Sequence, residues 1–420
     1  MPATDGMRIF VWHGYLLADT GSNIYTRQLA REWSRAGHDV TVFSQDPDPG
    51  RYDLGGAKTV RPDVHGLLPT FVVDDYPGYR VARVQDCSRA ELDRWVEDNA
   101  SALRARGGVD FLLVNHVLLG GPVGAASGSP YVVKAHGSEL EYSMRGNEEL
   151  SRWGAEVLAR AQATLVGSEH IRDVVAEICG AIEGVHTIPP GVDIELWRPQ
   201  QRDEALSSLL GECRDDPPNP GNLNERLPDE GNAERLAAFL AEERPTVVFV
   251  GKLIRNKGVQ VLLEALRGLD ARGVIVGFGD YRAELEAEAD GLDVLFTGPL
   301  AHRHLVHLLA FADASAVPSI FPEAFGMVAA ESAAAGCPPV VADHSGLAEV
   351  GEGLEEAYPP ALRGLVRFPS GDADALRERL AAILALALDD RAAIRAAARA
   401  AVVERWSWGG VARRILATAD

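Results

Sequence analysis

Basic residues are scarce in this sequence: 41 Lys and Arg stand against 61 Asp and Glu, a formal net charge of -20. That balance excludes nucleic acid or an anionic bilayer as the main partner, because both reward clustered cations, although a local basic pocket is still allowed. Cysteine is also sparse. Cys87, Cys179, Cys213 and Cys337 lie far apart with no C-x-x-C pair, so neither a zinc knuckle nor a disulfide framework is indicated, and a reducing, cytoplasmic setting is expected. Long hydrophobic runs are missing too. The start, MPATDGMRIFVW, has too short an apolar run for a signal peptide or a span, and LAAILALAL at 380–388 is bounded by Arg379 and by Asp389, Asp390 and Arg391, so it reads as a buried helix. No integral membrane segment is expected, and no fixed-period repeat suggests a solenoid.

What is present fits a soluble globular protein. Of 420 residues 46% are apolar and 24% charged, and the length exceeds what one core usually organises, which predicts two domains with room for a cleft between them. From residue 8 to 191, short apolar runs alternate with helical periods. RIFVW (8–12), DVTVFS (39–44), FLLVN (111–115), YVVKAHG (131–137) and ATLVGS (163–168) read as strands, with helices at 23–37 and 169–179. The signature restarts with PTVVFVGKL (245–253), GVIVGFG (273–279), DVLFTG (293–298), ASAVPS (314–319), PPVVAD (338–343) and GLVRFP (364–369). Near-continuous apolar strands separated by helices imply parallel sheets covered on both faces, hence two doubly wound α/β units in tandem. The expected domains are 1–191 and 192–405, with a last helix at about 406–420 returning to the first. Between the two sets, 198–245 is rich in Pro, Asn, Gly and acids; its middle reads as an exposed insertion, with a short helix at 233–242.

The stretch FPEAFGMVAAESAAAG (321–336) places Glu323 and Glu331 eight positions apart. A helix is predicted to begin near Phe325, where free amides make an anion site, and Gly326 allows a ligand to approach the backbone. Eight residues of helix span roughly 12 Å at ~1.5 Å per residue, which suits a sugar at one end and a ribose at the other with phosphates between. Two glutamates on an ordinary solvated helix would look the same, and this spacing alone does not decide. In GKLIRNKG (251–258), Lys252 and Lys257 sit in a loop after a strand, where two ammonium groups would neutralise a diphosphate; it is not a P-loop, since G-x-x-x-x-G-K-[ST] is absent. The first loop, HGYLLADTGSN (13–23), reads equally as a phosphate-closing loop around Gly14 and Gly21 or as a flexible loop capped by Ser22 or Asn23. In AHGSE, His136 stands at the carboxyl end of a strand, where ligands of open α/β sheets bind. GFGDYRAELE (277–286) reads as a tight turn into a helix. The D-x-D pairs Asp46/Asp48 and Asp372/Asp374 lie outside the cluster and read as solvated turn or capping residues.

Taken in order, TGSNIYTRQLAREWSRAGHDVTVFS, AHGSE, GSEHIRDVV, IPPGVD, VGKLIRNKGVQVLLEAL, VGFGDYRAELE, FTGPL, PSIFPEAFGMVAAESAAAGCPPVVADHSGLAEV and the terminal WSW resemble the retaining glycosyltransferases of the E-x(7)-E type, family four, over nearly the whole chain. The resemblance implies the GT-B fold, two Rossmann-like domains facing across a cleft. It also implies transfer of a sugar from a nucleotide-diphosphate sugar to an acceptor hydroxyl with retention, with no metal and no other cofactor required. By the same resemblance Glu323 contacts the sugar, Glu331 the ribose, and Phe325, Gly326 and Met327 present amides to sugar and phosphates. Lys252 and Lys257 grip the diphosphate, His136 leans toward the sugar, and Gly21 lies beside the phosphates. Glu323, His136 and Lys257 are then the catalytic set. Two positions depart from the pattern: Lys252 where arginine is common, and Ser345 in HSGL where many relatives carry Gly-Gly. Closure on a hinge at 189–199 would exclude water. Rival readings are a GT-B phosphorylase or epimerase, and a non-catalytic nucleotide-sugar binder. The acceptor is unknown. The dispersed charges of 59–85 lead us to expect a soluble one.

Overall fold

The computed structural model describes residues 6–18, 21–71, 76 and 78–419. The chain divides into two units: Met1–Gly191 with Trp408–Asp420, and Val192–Ser407.

In the first unit the strands are β1 (Arg8–Trp12), β2 (Asp39–Phe43), β3 (Lys58–Val60), β4 (Leu67–Thr70), β5 (Arg80–Arg83), β6 (Phe111–Asn115), β7 (Val132–Lys134), β8 (Ala163–Val166) and β9 (Val185–Thr187). Its helices are α1 (Gly21–Arg35), α2 (Arg89–Arg104), α3 (Gly121–Ser127), α4 (Glu148–Leu158) and α5 (Glu169–Cys179). A parallel sheet runs β3-β2-β1-β6-β7-β8-β9, and β4 pairs with β5 separately. Alternation along β1 explains the layering. Ile9 and Val11 enter one core with Leu29 and Trp33 of α1, while Phe10 and Trp12 enter the other with Trp95 of α2. Strands β3, β4, β5 and β9 are short or half-polar, and the sequence reading passes over them.

The second unit carries α6 (Arg202–Arg214), α7 (Asn232–Phe239), β10 (Thr246–Val250), α8 (Val259–Leu266), β11 (Arg272–Val276), α9 (Arg282–Glu288), β12 (Val294–Phe296), α10 (His302–Phe311), β13 (Ala314–Val317), α11 (Met327–Ala334), β14 (Pro339–Ala342), α12 (Ser345–Ala357), β15 (Arg367–Phe368), α13 (Ala373–Leu384) and α14 (Leu388–Trp406). Its sheet order, β12-β11-β10-β13-β14-β15, is all parallel and reverses direction between β10 and β13. One apolar core serves the unit. A final helix, α15 (Trp408–Leu416), belongs to the first unit, where the Trp33 indole donates to the Ala412 carbonyl at 3.1 Å.

The insertion is more ordered than its composition suggests. Its opening folds as α6, unforeseen in the sequence reading, with Ala205, Leu209 and Cys213 buried along one stripe. The exposed middle is pinned at Asp229, whose carboxylate accepts both guanidinium nitrogens of Arg282 at 2.8 and 2.6 Å. Asn232 donates to the Thr297 carbonyl at 2.8 Å.

Candidate active site

Ligands of doubly wound sheets bind beyond the carboxyl ends of the strands, where the strand order reverses. In the second unit those ends are the loops after β10 and β13, and they hold Lys252, Lys257 and Glu323. The two loops are clasped: the Ile320 amide donates to the Asn256 carbonyl at 2.9 Å, and the Lys257 ammonium meets the Glu323 carboxylate in a close ion pair. The same Glu323 oxygen accepts from the Ser319 hydroxyl at 2.5 Å. Lys252 is exposed, with no ion-pair partner among the described residues.

Helix α11 begins at Met327, not at Phe325, because Gly326 takes φ +122°, outside any helical conformation. Glu323 therefore lies in the loop. Helical rise spans only Met327 to Glu331, so the separation estimated from eight helical residues does not apply. The amides of Phe325, Gly326 and Met327 have no hydrogen-bond partner within the described chain, which leaves them open to an anion. The Phe325 ring is buried edge-on against Trp406, with ring centres 5.7 Å apart, and so fixes the loop from beneath. Glu331 is half-buried, and burial pushes its carboxyl up to about 8.

Ser345 answers the departure from the Gly-Gly pattern. It takes φ +52°, the left-handed region, and its hydroxyl accepts the Glu323 amide at 2.9 Å. His344 bridges the assembly, its Nε2 lying 2.6 Å from the Ser319 carbonyl and its Nδ1 3.1 Å from the Ser345 hydroxyl. Nε2 must carry the proton to reach that carbonyl, so Nδ1 accepts from Ser345. Ser319, His344 and Ser345 thus hold the loop between β13 and α11. The sequence reading did not single out the first two as site residues, since each is an ordinary polar residue without a motif of its own. Gly346 packs beneath the same loop: a Cβ there would stand 2.6 Å from both the Phe325 Cα and its nitrogen. Gly346→Ala is expected to cost about 2 kcal/mol or more, since backbone would have to move. Urea unfolding should register the loss, and a wild-type midpoint in the variant would show that the loop is not packed as described.

In the first unit, the switch lies between β1 and β6, and three histidines gather there and at the end of β7. The rings of His116 and His136 are centred 4.7 Å apart, and those of His13 and His116 6.3 Å apart. Asn115 Nδ2 donates to the Trp12 carbonyl at 3.2 Å, which turns Oδ1 toward His136 Nε2 at 2.7 Å. Nε2 is therefore the protonated nitrogen, leaving Nδ1 as an acceptor. Burial, with His116 and Lys134 nearby, holds this ring well below the usual histidine range, so His136 is a neutral imidazole. Glu139 organises the group from below: its carboxylate accepts the His136 amide at 2.9 Å and the Val117 amide at 3.2 Å, and lies 3.2 Å from His116 Nδ1. Burial alone would raise that carboxyl, but the His116 ring and the backbone donors hold it below the usual range. His13 is lowered to about 3 by burial, and Lys134 to about 7 by burial against the opposing pull of Glu139. His13 opens HGYLLADTGSN, Glu139 closes AHGSE and His116 directly follows FLLVN, yet only the fold reveals that they converge.

Gly21 is the first residue of α1, exposed, with open space where a side chain would stand. The capping alternative at Ser22 or Asn23 takes another form. Asn23 Oδ1 meets His13 Nε2 at 2.6 Å and its amide reaches back to the Ala18 carbonyl, so it fastens the first loop to the sheet. Asp46 is buried and not solvated, accepting the Leu17 amide at 2.9 Å and the Asp48 amide at 2.9 Å. Asp372 caps α13 through the Ala375 amide at 2.9 Å. In the turn after β11, the Leu253 amide bonds the Phe278 carbonyl at 2.8 Å, tying GFGD to the lysine-bearing loop.

Two sequence profiles match the chain: Glycosyltransferase Family 4 over residues 20–196 and Glycosyl transferases group 1 over residues 232–401. A GDP-mannose-dependent alpha-(1-6)-phosphatidylinositol monomannoside mannosyltransferase of Mycobacterium tuberculosis is 30% identical over 310 residues, 69% of each chain. D-inositol 3-phosphate glycosyltransferase 1 of Catenulispora acidiphila is 28% identical over 390 residues, 83% of each. Among solved structures, Anabaena HepE in complex with UDP and glucose aligns with TM-score 0.68 at 18% identity, covering 98% of this chain and 99% of that one. Sucrose-phosphate synthase from Thermosynechococcus elongatus aligns with TM-score 0.62 at 21% identity, covering 98% of both. These two likenesses bear on the fold, which is GT-B.

Proposed function

The chain belongs to the glycosyltransferases of group 1, and from that premise we propose that it is a retaining, metal-independent enzyme whose nucleotide-diphosphate sugar lies against α11. One observation carries the reading: the Lys257–Glu323 pair stands directly before three unpartnered amides at a helix start. A diphosphate seated on those amides would draw the ammonium groups of Lys252 and Lys257, and the leaving group's growing charge would be met by donors already in place. Lys252 cannot form the two-pronged grip of arginine, so it contributes charge more than geometry.

In the proposed step the bond from the anomeric carbon to the phosphate oxygen breaks, and the acceptor oxygen bonds to the same face of that carbon. A phosphate oxygen takes the acceptor's proton. Glu323 orients the sugar and offsets positive charge on the ring; it is not assigned as a nucleophile. Neutral His136 offers Nδ1 to a sugar hydroxyl, and Glu331 receives the ribose. The second unit is then the donor domain and the first the acceptor-side domain. For the acceptor we propose a polyol hydroxyl. The support is chemical: the relatives named above act on inositol phosphate and on mannosylated phosphatidylinositol, which share an inositol ring.

Thermal unfolding in the presence of a panel of nucleotide sugars tests the premise. The true donor raises Tm by mass action, by about 2.7 kcal/mol of stabilisation at a hundredfold excess over Kd. With that donor and inositol phosphates as acceptors, proton NMR of the product should show the donor's own anomeric configuration. An inverted product would refute retention, and stabilisation without turnover across acceptors would point to the non-catalytic reading.

A further inference from the structure

Away from the donor loops, the end of α6 and the start of α10 bring together three side chains of mixed chemistry. Cys213 lies in the last turn of α6, Asp216 in the bend just beyond its end, and His304 in the first turn of α10. One ligand atom from each lies within 4.8 Å of the other two, and no other such group of His, Cys, Asp and Glu occurs among the described residues. His304 is fully buried, yet neither ring nitrogen has a hydrogen-bond partner. Its Nε2 is 3.0 Å from Asp216 Oδ1 but not aligned for a hydrogen bond. Asp216 Oδ2 is likewise buried and unpartnered. Buried polar atoms normally find partners, and His304 and Asp216 each leave at least one unpaired beside the Cys213 thiol.

We propose that Cys213, Asp216 and His304 bind a divalent cation of the zinc class. A thiolate, an imidazole and a carboxylate form a ligand set that suits borderline-soft Zn²⁺ better than Mg²⁺ or Ca²⁺, which take oxygens. Bond lengths of about 2.0–2.3 Å put the ligands of one tetrahedral ion roughly 3.3–3.8 Å apart, so closure needs a contraction of at most about 1.5 Å from separations within 4.8 Å. Charge is balanced locally. The Arg303 guanidinium holds Asp216 Oδ1 and bonds Glu212 Oε2 at 2.8 Å, so Glu212 compensates Arg303 while the thiolate and the Asp216 carboxylate compensate the ion. The fourth position falls to water. The ion would fasten the first helix of the insertion to α10, a structural task separate from sugar transfer.

Titration of the chelator-stripped full chain with Co²⁺, followed by absorption, tests this. One equivalent should bind with a thiolate-to-cobalt charge-transfer band and tetrahedral d–d bands, and Zn²⁺ should displace it. In Cys213→Ser the charge-transfer band should vanish, and in His304→Gln affinity should fall at least about tenfold. Absence of a thiolate band in the wild type, or its survival in Cys213→Ser, overturns the proposal. Should the variants fail to fold by circular dichroism, alkylation of wild-type cysteines mapped by mass spectrometry decides: Zn²⁺ should slow labelling of Cys213 at least about tenfold while leaving Cys337 unchanged. Equal labelling of Cys213 with and without Zn²⁺ would end it.

Discussion

Glu323→Gln is expected to lower sugar transfer by roughly 10²–10³-fold while nucleotide binding is retained. Gln keeps the length of the side chain and a carbonyl oxygen for the Ser319 hydroxyl and the Lys257 ammonium, so the loop should hold its shape. The Glu323 backbone amide, held by Ser345 at 2.9 Å, is untouched by the change. What disappears is the negative charge that the proposed function sets next to the reacting carbon. Initial rates with saturating donor, set beside calorimetric binding of the nucleotide diphosphate, separate the two effects. Wild-type turnover in this variant would strip Glu323 of its assigned role.

Lys257→Ala should damage both binding and transfer. Loss of a charge-assisted contact worth about 1.5–3 kcal/mol weakens donor binding about ten- to a hundredfold. There is a second cost: without the ammonium, the Glu323 carboxylate faces the incoming phosphates uncompensated. The variant should therefore lose more than its own contact, and Lys257→Arg, which restores charge without the same reach, should recover part of the affinity. Because the two side chains touch, the Ala and Gln changes combined should be non-additive. Isothermal titration with the nucleotide diphosphate measures this directly, and unchanged affinity in Lys257→Ala would remove the lysine from the diphosphate site.

The central strands of both sheets were legible because apolar runs such as RIFVW and TVVFV are buried on both faces and need no tertiary context to be recognised, whereas the edge strands β3 and β9 lack such runs. The donor loops were legible for a related reason: Lys252, Lys257 and Glu323 all follow strands, and the topology of a doubly wound sheet sends such residues to one end. Helix α6 escaped notice because the Pro, Asn and Gly of 215–231 dominate the composition of its neighbourhood, although the stripe of Ala205, Leu209 and Cys213, spaced four apart, was available. The supporting polar groups were hidden for a deeper reason. Ser319, His344 and Ser345 act through contacts with the backbone of a loop, and nothing in a serine's local sequence reports that a distant amide points at it. Cys213, Asp216 and His304 were equally hidden, since two segments far apart in the chain, the end of α6 with the bend after it and the start of α10, supply them.

With Glu331 as the proposed ribose ligand, the enzyme would carry a built-in dependence on proton concentration. Its carboxyl, lifted to about 8 by burial, is largely neutral at neutral pH, so a doubly anionic donor approaches without meeting one more negative charge. Ribose hydroxyls, however, donate best to an ionised group. Docking would then expel a proton, and affinity would climb as the solution is made more alkaline through that value, levelling off once the acid is already ionised in the free protein.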